Sequence, residues 1–145
     1  MSVALTLARV ARRLDRRAGR LLPLSQYRVL ALSVESDVSA SRLSRMLDLA
    51  KPTITSTVDS LVEAGLLAKV AVEGDRRTVR LEITAAGRAK LGEVEAELAA
   101  VVDDLVDRCD DPALVRKALD QLGEALERRA VERDAERGGG DSGRV

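Results

Sequence analysis

The stretch Glu73-Gly74-Asp75-Arg76-Arg77-Thr78-Val79-Arg80-Leu81-Glu82-Ile83-Thr84-Ala85-Ala86-Gly87 decides the fold, because it sets two adjacent arginines between two strand-like runs. Upstream, Leu66-Leu67-Ala68-Lys69-Val70-Ala71-Val72 is short, apolar and partly β-branched. Downstream, Val79, Leu81 and Ile83 alternate with Thr78, Arg80 and Glu82. A period of two marks a half-buried strand, so the pair reads as a hairpin that turns at Gly74 and Asp75. A tip carrying Arg76 and Arg77 suits a DNA minor groove, where guanidinium groups meet concentrated negative potential. Taken alone, the segment is equally an ordinary solvated hairpin, since charged turns are the rule at protein surfaces.

The preceding residues favour the first reading. Ser39 can cap a helix whose apolar Leu43, Met46 and Leu47 share one face, and Asp48-Leu49-Ala50 is short enough for a tight turn. Pro52 suits the first turn of a second helix, where its missing N–H costs no bond, and Gly65 suits the position just past that helix's end. In the second helix Ile54, Val58, Leu61 and Val62 form the stripe to be buried, which leaves Lys51, Thr53, Thr55, Ser56, Asp59 and Ser60 on the other sides. Short hydroxylated side chains near a helix N-terminus can bond phosphates and base edges without holding the helix away from a major groove. A Thr/Ser-rich surface helix is the plainer alternative, and the basic hairpin that follows argues against it.

With helix, turn, helix and hairpin in this order, the chain resembles the MarR family of winged helix-turn-helix transcription factors. The resemblance rests on Leu24-Ser25-Gln26-Tyr27-Arg28-Val29-Leu30, on Ser41-Arg42-Leu43 with Leu47, and on Lys51-Pro52-Thr53-Ile54-Thr55 through Leu61 and Gly65-Leu66. Asp75-Arg76-Arg77 followed by Leu81, Thr84 and Gly87 completes it. It implies a mainly α fold with a small β-hairpin, in which a winged domain is flanked by N- and C-terminal dimerisation helices. It also implies that Lys51, Pro52, Thr53, Thr55 and Ser56 face the major groove and that Arg76 and Arg77 form the wing, with Arg77 in the minor groove. Asp75 would organise the wing, and Ser39 and Arg42 would contact the DNA backbone. Many members carry arginine where this chain has Ser56 or Ser60, so its recognition surface is less basic.

Charge distribution agrees with that assignment. The net charge is zero, yet residues 1 to 90 hold 16 Lys/Arg against 9 Asp/Glu, and residues 91 to 145 hold 8 against 15. The basic part should face DNA and the acidic part should point away. At 145 residues the chain is one domain's worth. The expected organisation is an N-terminal helix over 1–22, a winged domain over 23–88, C-terminal helices over 89–135 and a disordered tail over 136–145.

Both ends read as a dimerisation device. Val3, Leu7, Val10, Leu14, Ala18 and Leu21 recur at helical spacing among Arg9, Arg12, Arg13, Arg16, Arg17 and Arg20. A membrane-surface helix competes for that segment, but it lacks Trp or Phe and runs straight into a globular pattern. After Thr84, a candidate cap, Leu91, Val94, Leu98, Val101, Val102 and Leu105 predict a helix to about Cys109, which Asp110-Asp111-Pro112 ends. A further helix from Ala113 carries Val115, Leu119, Leu122 and Leu126. These helices are too long to bury their apolar faces in one small domain, so a second copy should cover them. A two-fold dimer reads an inverted repeat.

Several chemistries drop out. Without histidine, and with a single cysteine, the chain cannot build a His/Cys metal site or a Ser-His-Asp or Cys-His catalytic group, so neither enzyme nor metal cofactor is expected. No signal or membrane span is legible, and a cytoplasmic location is expected. The resemblance implies a small, often aromatic acid as effector, with Arg13, Arg17 and Tyr27 as candidate pocket residues; those arginines are equally a solvated face. Redox sensing through Cys109 is the alternative trigger, disfavoured by its acidic neighbours. A winged module that binds protein instead of DNA is the alternative function.

Overall fold

Short-range backbone devices set the element boundaries in the middle of the chain. The computed structural model describes residues 2–34 and 38–138, with the side chains of residues 75–78, 134, 137 and 138 outside the description. The elements run α1 (Val3–Ala18), α2 (Leu24–Leu32), α3 (Ala40–Leu47), α4 (Lys51–Glu63), β1 (Leu67–Val72), β2 (Asp75–Ile83), α5 (Ala85–Val106) and α6 (Pro112–Gly138). Ser39 caps α3 by accepting from the Arg42 N–H at 3.2 Å. Asp48 closes α3 in the left-handed region at φ 54°, which Asp tolerates better than most residues. Past α4, Gly65 takes φ 73°, and the N–H groups of Gly65 and Leu66 reach the Val62 and Leu61 carbonyls at 2.9 Å each. That paired arrangement satisfies two orphan carbonyls and lays Leu66 against the helix end.

The two strands pair antiparallel, with Leu67 opposite Ile83 and Ala71 opposite Val79. The sequence had suggested Gly74 and Asp75 at the turn; instead Val72 pairs with Asp75, so Glu73 and Gly74 form the loop. Gly74 holds φ 86°, which glycine adopts without steric cost. The register shifts between Ala71 and Val72, placing Arg76 to Thr78 between the last two pairs. Val38 adds a bridge on the far side, its carbonyl accepting from the Leu81 N–H at 2.8 Å.

The core gathers where these elements meet. Ile54, Val58 and Leu61 from α4 pack with Val29, Leu30, Leu43, Leu67 and Leu81, and with Leu91, Val94 and Leu98 of α5. Burying each such side chain contributes about 1.5–3 kcal/mol. Gly87 makes the junction of α5 with the hairpin possible, since a Cβ there would fall 2.1 Å from the Leu66 carbonyl oxygen.

The terminal helices differ. α1 lies against α5, while α6 turns back to lie mainly against α3. Contrary to the expected end near Cys109, α5 stops at Val106; Arg116 bridges Asp103 and Asp107 at 2.5 and 3.0 Å and tightens the corner. α6 runs to Gly138, into the stretch expected to be a tail. Arg128 and Glu124, at 3.6 Å, and Arg129 and Glu132, at 3.9 Å, make the i,i+4 and i,i+3 pairs that favour helix there. Residues 139–145 lie outside the described residues.

Candidate nucleic-acid interface

Burial on one side of α4 fixes what its other side presents. With Ile54, Val58 and Leu61 buried, Lys51, Pro52, Thr53, Thr55 and Ser56 are all exposed. Lys51, Pro52, Thr55 and Ser56 line one shallow groove together with Asp59, Ser60 and Glu63, whereas Thr53 sits outside it. Asp59 and Glu63 were not among the sequence candidates. A carboxylate would repel phosphate, but the Lys69 ammonium of β1 lies 2.6 Å from Asp59 and offsets its charge. The one hint of that pair in the sequence is a lone lysine in an otherwise apolar strand. The Thr55 hydroxyl donates to the Lys51 carbonyl at 2.9 Å and Ser60 to Ser56 at 3.0 Å, so each oxygen keeps acceptor capacity toward the exterior. Ala50, the N-cap of α4, offers no side-chain hydrogen bond, which leaves the amino end of the helix polarised and open to an anion.

The supporting contacts come from both sides. Ser39 and Arg42 are half-buried at the start of α3, where the Ser39 oxygen accepts the capping bond. Asp75, Arg76 and Arg77 belong to β2 by their backbone, and their side chains lie outside the described residues. The hairpin that bears them is tied to α5 through Thr84. Its hydroxyl donates to the Gly65 carbonyl at 2.7 Å and accepts from the Gly87 N–H at 3.0 Å, so one side chain joins the end of α4 to the start of α5.

Comparison with known proteins agrees with this arrangement. A family model described as the MarR family matches residues 22–78, which carry the helices, the turn and most of the wing. The chain is 31% identical over 106 residues to the HTH-type transcriptional regulator PecS of Dickeya dadantii (strain 3937). The chain belongs to the MarR family. The aligned stretch is 67% of this chain and 64% of the length of PecS. The structure of the transcriptional regulator BldR from Sulfolobus solfataricus superposes with a TM-score of 0.71 at 27% identity, over 87% of this chain and 93% of BldR. The transcriptional repressor CouR, solved with a 23-mer DNA duplex, shares the fold with a TM-score of 0.70 at 21% identity, over 86% and 92% of the two chains. CouR from Rhodococcus jostii RHA1 has also been solved with p-coumaroyl-CoA, with a TM-score of 0.68 at 22% identity, over 86% and 92%.

The effector residues suggested by the sequence are not brought together in this MarR-family chain. Arg13 and Arg17 line a groove of about 680 Å³ between α1 and α5, with Arg9, Arg12, Arg16, Arg20, Val101 and Leu105 around them. Tyr27 lies instead in a separate cleft of about 410 Å³ with Leu14, Leu24, Glu95, Leu98 and Val102. Arg17 is also paired with Glu97 at 2.5 Å, and Arg13 with Asp104 at 3.5 Å, so each guanidinium has a carboxylate partner on α5 and keeps further N–H donors. Burial, and secondarily Glu95, raises the Tyr27 hydroxyl above its ordinary value of 10.0, which keeps it a proton donor. Cys109 is exposed beyond the end of α5 and is not among the residues lining either cavity. Among the described residues, no helix is long and apolar enough to cross a membrane.

Proposed function

We propose that this chain is a sequence-specific DNA-binding transcriptional regulator that works as a homodimer on an inverted repeat. The reading rests above all on α4, whose fully buried Ile54 and Leu61 hold Lys51, Pro52, Thr55 and Ser56 outward on a single groove. The naming of PecS as a transcriptional regulator and the DNA-bound state of CouR support it. Exposed apolar residues on α1 and α6, among them Val3, Leu7, Leu119, Leu122 and Leu126, support the dimer. Two recognition helices related by a two-fold axis would read half-sites about one DNA turn, roughly 34 Å, apart.

Repression relieved by a small anionic or aromatic ligand is the mode of action we infer. The arginine-lined groove between α1 and α5 supplies the positive field, the Tyr27 cleft supplies apolar walls, and CouR is a relative of the same fold that takes p-coumaroyl-CoA. Such a ligand releases DNA only if it prefers the DNA-incompetent form, and linkage then requires DNA to weaken the ligand by the same factor.

Selecting bound fragments from the source genome and titrating them against salt tests the core of the proposal. Affinity should fall steeply as salt rises, and Arg77→Ala in a folded protein should weaken binding while lowering the salt slope by about one. Thr55→Ala should change the preferred sequence rather than weaken all sequences equally, by about 1–3 kcal/mol at the contacted pair. Salt-independent association with a protein, and no selected fragment, would support the protein-binding module instead.

A further inference from the structure

The end of α6 reaches the helix-turn-helix from outside it. Ala130 and Arg133, one turn apart, are partly buried in the last part of α6, which is the element that lies against α3. From there the Arg133 guanidinium extends to the Asp48 carboxylate at 3.3 Å. Its Nε is fully buried and has no hydrogen-bond partner among the described residues. With Nε withdrawn from solvent, the guanidinium meets a countercharge at its other edge in Asp48, whose side chain is 66% exposed.

Asp48 is the residue on which the direction of α4 turns. It sits at φ 54°, a backbone conformation that side-chain-bearing residues rarely adopt, and only Leu49 and Ala50 separate it from the start of α4. Its carboxylate also lies at the carbonyl end of α3, where the helix dipole is negative and a second negative charge is unfavourable. A cation placed against it relieves that repulsion. The rest of the turn is held by the Leu49 N–H on the Ser44 carbonyl at 3.1 Å and the Ser44 hydroxyl on the Leu49 carbonyl at 2.6 Å.

We infer that Arg133 is a positioning residue for DNA recognition, acting through Asp48 to hold the α3–α4 turn in its left-handed form and thereby to aim α4. The inference rests on the DNA-binding reading above for its consequence, but not for the contact itself. α6 then has two tasks along its length, because Leu119, Leu122 and Leu126 of the same helix form the face proposed to meet a second copy. Through the Arg133–Asp48 pair, what happens on that face can reach the α3–α4 turn.

The test uses the full chain carrying Arg133→Met, Asp48→Asn and both together. Asparagine retains the left-handed conformation while removing the charge, so Asp48→Asn should fold. Hydrogen exchange at the Leu49 amide, measured without DNA, should speed up about tenfold in each single variant and no further in the double. Affinity for the selected operator should fall by a similar factor with an unchanged salt slope, because Arg133 touches no phosphate. Arg133→Lys should restore part of both. Unchanged exchange at Leu49 would overturn the inference whether or not the protein binds DNA. A salt slope lowered by about one in Arg133→Met would also overturn it, making Arg133 a direct phosphate contact. If the wild-type chain bound no DNA fragment, only the DNA-binding reading would fall, and the exchange measurement would still decide the contact.

Discussion

In the winged centre Leu30, Leu43, Ile54 and Leu61 have no exposure to solvent, whereas on the terminal helices Val3 is 76% exposed, Leu126 63% and Val131 69%. The two regions have similar apolar content but different cover. Elements of the centre cross one another within a short stretch of sequence, so one chain closes the core. α1 lies mainly along α5 and α6 mainly along α3, and each leaves apolar residues exposed. Those exposed apolar residues are the ones the proposed second copy would cover.

Removing equal amounts of apolar side chain from the two regions should give the largest contrast. Leu61→Ala should cost about 2–5 kcal/mol in denaturant titration at any protein concentration. Leu126→Ala should cost almost nothing at high dilution and should instead weaken self-association in sedimentation. A Leu126→Ala loss equal to that of Leu61→Ala at every concentration would mean that the single chain covers α6 after all.

Gly87→Ala sharpens the same contrast from the backbone. The added Cβ meets the Leu66 carbonyl and Ile83 in the centre, so a loss of about 3 kcal/mol is expected. Gly123→Ala in α6 meets nothing within 4 Å and should stabilise by about 0.5–1 kcal/mol through helix propensity. Calorimetric melting of the two variants compares them directly. Thr84→Ala comes next, at about 1 kcal/mol, for the lost cap on α5. A value near zero would show that the Gly65 and Gly87 contacts are replaced by water without penalty.

Acid should give the smallest effect, and it belongs to the terminal region. Hydrogen bonding and charge from Arg108, with a further contribution from Arg13, hold Asp104 below its ordinary value of 3.8. A carboxylate lowered on folding stabilises the fold above its unfolded value, and that contribution fades as pH falls through and below 3.8. Asp104→Asn should therefore flatten the acid limb of the melting curve slightly and leave neutral-pH stability nearly unchanged, since the group is exposed.

What could be read from the sequence follows the range of the interactions involved. Ser39, Pro52, Gly65 and Thr84 mark boundaries through contacts within a few residues, and the structure places each at the expected helix end. The exposed face of α4 was legible because Ile54, Val58 and Leu61 fix its opposite. The turn was misplaced by one residue because the strand pairing, not the dipeptide, decides where it falls. In the sequence Arg13 and Arg17 read as pocket residues or a solvated face, since nothing there reveals Asp104 and Glu97 of α5, 91 and 80 residues away. The reach of α6 back to Asp48 was hidden for the same reason.

The hydroxyl of Thr84 makes the start of α5 a fulcrum, since it ties that helix to Gly65 at the end of α4. From Ala85 to Val106 the arm measures about 33 Å at 1.5 Å per residue. A tilt of about 5° at the fulcrum moves the far end by about 3 Å over that length, the width of one water molecule. In the proposed dimer, a small displacement at the far end of α5 would reach the end of α4 as a rotation about Thr84.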